Sequence, residues 1–305
     1  MPHILSAKQF SKGDLERILS LAREMEDDLK KGRVKKVLQD KIIACIFFEA
    51  STRTRLSFET AALRLGAQVI SAENAFENSS ASKGETIEDT VKILCNYADA
   101  LIIRHPESGI MERAAKVAAK PLLNAGDGTN QHPSQGLLDL YTIKKELKRL
   151  DNLKIGFGGD LLKSRTVRAL LDFMRLYENN KFYFISHKEL ALPRKIIQEL
   201  AESGVQFIET ENLEGTLPEL DIIYLTRVQK ERFSDPQEYE KVKDLFIFKK
   251  DHLKILKPEA IIMHALPKIN EIEKEVDQDS RAAYFREAEN GLYVRMALLC
   301  YALGV

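Results

Sequence analysis

No run of apolar residues in this chain is long enough to cross a bilayer. The start, "MPHILSAKQFSKGD", lacks the basic lead and apolar core of a secretory signal. Net charge is also missing: 46 Lys and Arg balance 46 Asp and Glu, which argues against a global nucleic-acid or membrane role and leaves a local basic pocket open. Cys45, Cys95 and Cys300 are few, far apart and set in apolar context, so buried reduced thiols are expected rather than a disulfide or a metal site. A cytoplasmic protein follows as the expectation. There is no Walker A sequence, no H-E-x-x-H, no paired-cysteine spacing and no G-x-S-x-G. "GFGGD" at 156–160 is no dinucleotide fingerprint, because its third glycine would fall on Leu161; it reads as a glycine-rich turn between strand and helix. No solenoid repeat or low-complexity stretch occurs.

What is present is an ordinary globular composition, 44% hydrophobic and 30% charged over 305 residues, enough for two domains with a core in each. A first helix is predicted from about Asp14 to Lys31, with Ser11 near its start and Gly32 as its stop. Short apolar runs then alternate with helical patterns. "KIIACIFF", "AQVIS", "DALIIR" and "KPLLN" read as strands, separated by "TRLSFETAALRL", "TIEDTVKILCNYA" and "GIMERAAKVAA". "SQGLLDLYTIKKELKRL" reads as a long amphipathic helix. A second series follows, with strands "LKIGFGG", "FYFIS", "VQFIE", "DIIYL" and "AIIMHA" and helices "RTVRALLDFMRLYE" and "RKIIQELAES". The chain closes on "NGLYVRMALLCYALG", apolar most of the way round. The pattern predicts an α/β protein of two doubly wound parallel-sheet domains, bridged by the middle helix and the C-terminal helix. The first domain spans 1–133 and is completed by the closing helix at about 288–305; the second spans 150–287.

Open α/β sheets bind ligands beyond the carboxyl ends of their strands. Those ends hold "STRTR" at 51–55, Arg104 with His105 and Pro106, "TNQHPSQ" at 129–135, "LLKSRTVR" at 161–168, "RVQKER" at 227–232 and "LPK" at 266–268. "STRTR" falls on the first turn of a helix, where backbone N–H groups have no partner and the dipole is positive. Ser51 and Thr52 can cap and donate, and Arg53 offers a bidentate fork. With this density of donors behind a buried strand, a phosphate site outweighs an ordinary capped helix. Arg55 points away from Arg53 on the helix, so a structural ion pair is its expected role. "NSSASKGE" at 78–85 is a small polar loop, with the next helix starting at Glu85 and Lys83 free to reach an anion.

"FFEASTRTRLSFETAALRLG", "SKGETIEDT", "RHP", "GDGTNQHPSQGLLDLYTI", "SRTVRALL", "YLTRVQKERF" and "HALPKINEI" occur in this order along nearly the whole chain. Together they resemble the transcarbamylase family, and "SKGE" with "TRVQKER" resembles its aspartate-using branch. The resemblance implies transfer of a carbamoyl group from carbamoyl phosphate to the amine of L-aspartate. The donor is already activated, so no protein nucleophile, metal or cofactor is implied. By the same resemblance Ser51, Thr52, Arg53 and Thr54 hold the phosphate, and Arg53 also stabilises the leaving oxygen. Thr54, Arg104 and His132 polarise the carbonyl, with His132 neutral and donating. Gln135 and the backbone carbonyls of Leu266 and Pro267 hold the carbamoyl amide. Arg165, Arg227, Gln229 and Lys83 grip the aspartate. Ser79 and Lys83 would come from the neighbouring chain of a homotrimer with shared sites. A regulatory chain or a dihydroorotase remains open as a further partner, and neither nucleic acid nor membrane is implied.

The chain departs from the family at "HALPKIN", where "H-P-L-P-R-x-D" is common: Ala265 replaces Pro, Lys268 replaces Arg and Asn270 replaces Asp. The last two changes remove the expected salt bridge between positions 268 and 270. Leu266 and Pro267 remain, and with them the family's cis bond. Two rival readings stay open: a transcarbamylase for ornithine or another amine, and a non-catalytic anion-binding homologue. A cationic acceptor would require acids where Arg165 and Arg227 stand.

Overall fold

The computed structural model describes residues 2–78, 80–228, 235, 237, 239–240 and 246–305, with only the backbone of Ser80 and Ala81. The chain divides into two units, Met1–Tyr141 with Glu289–Val305, and Thr142–Ala288. In the first, helix α1 (Lys12–Lys30) is capped by Ser11, whose hydroxyl accepts from Asp14 N–H while Asp14 returns the bond. Gly32, at φ +66, follows its end. Strands β1 (Ile42–Phe47), β2 (Gln68–Glu73), β3 (Ala100–His105) and β4 (Leu122–Asp127) pair in parallel in the order β2-β1-β3-β4. Helices α2 (Thr52–Arg64), α3 (Ile87–Tyr97) and α4 (Ile110–Val117) alternate with them. Strands β1 and β3 and the edge strand β4 are buried along nearly their whole length, whereas the other edge strand, β2, is half exposed and its apolar run is short. Helix α5 (Pro133–Leu147) crosses the division between the units. It was expected to be amphipathic, yet every residue from 131 to 143 is buried and only its last turn meets solvent.

The second unit holds β5 (Lys154–Gly159), α6 (Arg165–Met174), β6 (Lys181–Ile185), α7 (Arg194–Glu202), β7 (Gln206–Thr210), β8 (Ile222–Thr226) and β9 (Ile261–His264). Its sheet is parallel in the order β7-β6-β5-β8-β9. Helix α8 (Tyr284–Leu303) begins in this unit and ends in the first. Gly159 explains the glycine-rich turn. Its φ is +103, and a Cβ there would lie 2.4 Å from the carbonyl oxygen of Thr226, so only glycine lets β5 turn beside β8.

Two parallel-sheet α/β domains are therefore observed. Each sheet has one point where successive connections leave in opposite directions: between β1 and β3 in the first, and between β5 and β8 in the second. One boundary differs from expectation. The helix predicted from Glu85 starts at Ile87, because Thr86 supplies the cap by accepting from Asp89 N–H. The preceding polar segment forms single turns at Ala75–Asn78 and Ser80–Lys83. Cys45, Cys95 and Cys300 are free and buried. Among the described residues no helix is long and apolar enough to cross a membrane.

Candidate active site

The β1–α2 junction lies at the first of these two points. Ser51 occupies the N-cap in extended conformation, yet its side chain makes no capping bond. This departs from the expected Ser51 cap and contrasts with Ser11, Thr86 and Ser164, each of which caps its own helix. The first N–H groups of α2 are thus left uncapped by the residue that usually satisfies them, and the helix dipole adds positive potential there. Thr54 is buried beneath this turn, whereas Thr52 and Arg53 face solvent. Arg55 is the structural ion pair expected of it: its guanidinium lies 3.2 Å from Glu59 and 2.9 Å from Glu73 at the end of β2. The adjacent cations of "STRTR" are therefore divided, one neutralised against the sheet edge and one turned outward.

Strand β3 delivers Arg104 beside this turn, paired in register with Phe47 of β1. Its guanidinium sits 2.8 Å from Glu49 and donates to the carbonyl of Ala125 at 3.4 Å. His105 behaves as a satisfied loop residue: Nδ1 accepts from Glu107 N–H, and the ring packs on Phe48 and Phe76. Burial pushes its pKa below the ordinary histidine value. After β4, buried Asp127 accepts from Asn124, Asn130, Gly109 N–H and Gln131 N–H, at 2.9 to 3.0 Å. This one carboxylate holds the turn that ends at His132. His132 is buried immediately before Pro133, the first residue of α5, with Nδ1 3.4 Å from the hydroxyl of Ser134. Gln135 donates to Asp139 at 2.8 Å. Asp139 acts in turn on the wholly buried Arg295 of α8, whose pKa burial pulls down to about 10 against the attraction of that carboxylate. Lys83 is exposed at the end of its turn. Ser79 lies outside the described residues.

In the second unit, Arg165 opens α6 and is buried, behind the Ser164 cap. Arg227 follows β8 and is half-buried. Both therefore stand at the β5–β8 point, where Thr226 ties the two strand ends by donating to the carbonyls of Gly158 and Asp160. Gln229 lies outside the described residues. After β9 the Leu266–Pro267 bond is cis. Lys268, deprived of an acid at position 270, pairs instead with Asp277 at 3.0 Å. Four residues that brace these groups were not singled out from sequence: Asp127, Asp139, His264 and Glu271. Asp139 had a readable signal, four residues after Gln135 on one helical face.

The sites thus offer hydroxyls, guanidinium groups and helix N–H groups in the first unit, and two arginines in the second. That set suits anionic ligands and a developing oxyanion. Residues 2–145 match the carbamoyl-phosphate-binding domain of aspartate/ornithine carbamoyltransferases, and residues 151–302 match their aspartate/ornithine-binding domain. The chain belongs to the aspartate/ornithine carbamoyltransferase family, and is a transferase. It is 48% identical over 302 residues to the aspartate carbamoyltransferase catalytic subunit of Thermococcus onnurineus, covering 99% of this chain and 97% of that one. The crystal structure of the catalytic subunit of M. jannaschii aspartate transcarbamoylase superposes with a TM-score of 0.92 at 45% identity, covering 100% of this chain and 98% of that one. Aspartate transcarbamoylase from Trypanosoma cruzi, in complex with carbamoyl phosphate and aspartate, gives 0.92 at 37% identity, covering 97% and 95%.

Arg295→Met is expected to destabilise the fold, because the buried carboxylate of Asp139 loses the attraction of a nearby buried cation. Denaturant unfolding checks this. Adding Asp139→Leu should recover part of the loss, whereas an additive second loss would contradict the pairing.

Proposed function

We infer that the protein transfers the carbamoyl group of carbamoyl phosphate to the amine of L-aspartate, giving N-carbamoyl-L-aspartate and phosphate, an early committed step of pyrimidine biosynthesis. The observation that carries this reading is the β1–α2 junction, where Ser51 leaves its own helix uncapped beside Thr52, Arg53 and Thr54. There the phosphate takes the helix N–H groups, the hydroxyls and the Arg53 fork. Arg104 and His132 draw electron density onto the carbonyl oxygen, and Gln135 with the Leu266 and Pro267 carbonyls holds the amide. The amine adds to the carbonyl carbon to give a tetrahedral oxyanion, whose collapse breaks the C–O bond. The amine's proton passes to the departing phosphate, and Arg53 stabilises the departing oxygen. Arg165 and Arg227, with Gln229 and Lys83, take the acceptor's carboxylates, which favours aspartate over ornithine. Phosphate release from carbamoyl phosphate should occur with aspartate and not with ornithine or without acceptor. In the same assay a folded Arg53→Ala variant should lose about 10²–10³ in turnover. Turnover with ornithine, or near-normal Arg53→Ala turnover, would sink the reading.

We further infer a cytoplasmic homotrimer in which Ser79 and Lys83 serve a neighbour's site. Leu56 and Leu63 of α2, Ile70 of β2, and Ile93 and Tyr97 of α3 are exposed apolar side chains of the first unit, which supports a subunit interface there. Two inactive variants, Arg53→Ala and Lys83→Ala, are mixed in equal amounts, unfolded and reassembled. Three quarters of closed trimers are then mixed, each with one whole site in three, so activity should return to roughly a quarter of wild type. Verified hybrids without activity would place Lys83 outside the shared site.

A further inference from the structure

We propose that His264 and Glu271 form a buried brace that sets the backbone carbonyls of Leu266 and Pro267, and that both are positioning residues for the carbamoyl group. The proposal rests on the reading that those carbonyls accept from the carbamoyl NH2.

His264 is the last residue of β9 and is 3% exposed. Its backbone N–H donates to Glu287 of α8 at 3.0 Å, which anchors the strand end. Its ring Nδ1 accepts from Leu266 N–H at 2.8 Å, so the ring proton sits on Nε2. Nε2 faces Glu271 Oε1 at 2.8 Å, and Glu271 is 4% exposed. The other carboxylate oxygen, Oε2, accepts from the N–H groups of Ile269 and Asn270, at 3.0 and 3.1 Å. One imidazole and one carboxylate thus tie the backbone on both sides of Leu266 and Pro267. Burial opposes ionisation of Glu271, but the His264 imidazole close beside it and the N–H of Ile269 outweigh it and hold its pKa below the ordinary glutamate value.

The brace has a backbone conformation to hold. Leu266 sits at φ +52, a left-handed conformation that a leucine adopts only where its surroundings impose it. Lys268, paired with Asp277, which also accepts from Tyr284, fixes the far side of the loop. A polar pair buried this deeply gives less stability than apolar packing of the same volume. What it supplies is direction. Two acceptor carbonyls recognise an NH2 group only while their lone pairs point at it, since hydrogen bonds weaken steeply with misalignment.

Acetyl phosphate tests this, because it replaces the carbamoyl NH2 by a methyl and keeps the phosphate and carbonyl. Calorimetric titration of the wild-type protein should show tighter binding of carbamoyl phosphate than of acetyl phosphate. Equal binding would refute the role of the carbonyls themselves, whatever the variants do. His264→Asn keeps an acceptor for Leu266 N–H but loses the contact with Glu271. Its preference for carbamoyl over acetyl phosphate should fall about 3–10-fold, the worth of a misaligned neutral hydrogen bond, while acetyl phosphate affinity stays within about twofold. Glu271→Gln keeps only part of the brace and should shift the ratio less, in the same direction. Near-ultraviolet circular dichroism confirms that each variant is folded. If His264→Asn does not fold, Glu271→Gln decides. A wild-type ratio in a folded variant overturns the brace, and so does an equal loss of both ligands, which would mark the pair as a support of the fold alone.

Discussion

Gathering guanidinium groups where parallel strands end is the constraint on which the rest of this structure depends. Two like charges 4 Å apart cost about 4 kcal/mol at the effective dielectric near a protein surface. The chain meets this cost selectively. Arg55 is neutralised by Glu59 and Glu73, and Arg104 is held by Glu49. Arg295 works through Asp139, inside the core of the first unit. Arg53 is instead turned to solvent on the first helical turn, where Ser51 makes no cap bond. On the proposed reading an anion there would take the helix N–H groups that Ser51 leaves uncapped.

Topology decides where this happens. Both sheets are parallel and doubly wound, so each has a single place where neighbouring strand ends are not roofed by the same connection. "STRTR" and Arg104 follow β1 and β3, and Arg165 and Arg227 follow β5 and β8. The loops at these ends are fixed by carboxylates that bond backbone N–H groups. Asp127 does this for the turn before His132, and Glu271 for the segment after Pro267. The proposed binding groups therefore sit on short segments whose backbone is tied down on both sides, the arrangement that keeps donors aligned.

What could be read from sequence follows from what is local. Buried strands give unbroken apolar runs, and the exposed edges β2 and β7 still carry short apolar stretches between turn signals, so all nine strands among the described residues were legible. The place of "STRTR" on the first turn of a helix was legible because strand and helix are contiguous, although the expected Ser51 cap bond is not made, and the separate role of Arg55 because helical geometry alone turns it away from Arg53. The partners were not. Glu73 lies 18 residues from Arg55, and Asp139 comes within the field of Arg295 only because α8 approaches α5 in the first unit, with Gly291 facing Leu138. The loss of an acid at position 270 removed one salt bridge on paper, yet Asp277 took its place through a contact no spacing rule anticipates. The burial of α5 also escaped the pattern. Its polar residues Ser134, Gln135 and Asp139 look like a solvent face until tertiary structure encloses them.

The central claim is that the first unit carries an anion site formed before any acceptor arrives. Isothermal titration of the wild-type protein with carbamoyl phosphate, in the absence of aspartate, tests it most directly. The account predicts saturable binding of one molecule per chain that weakens as ionic strength rises. No binding until aspartate is present would contradict it.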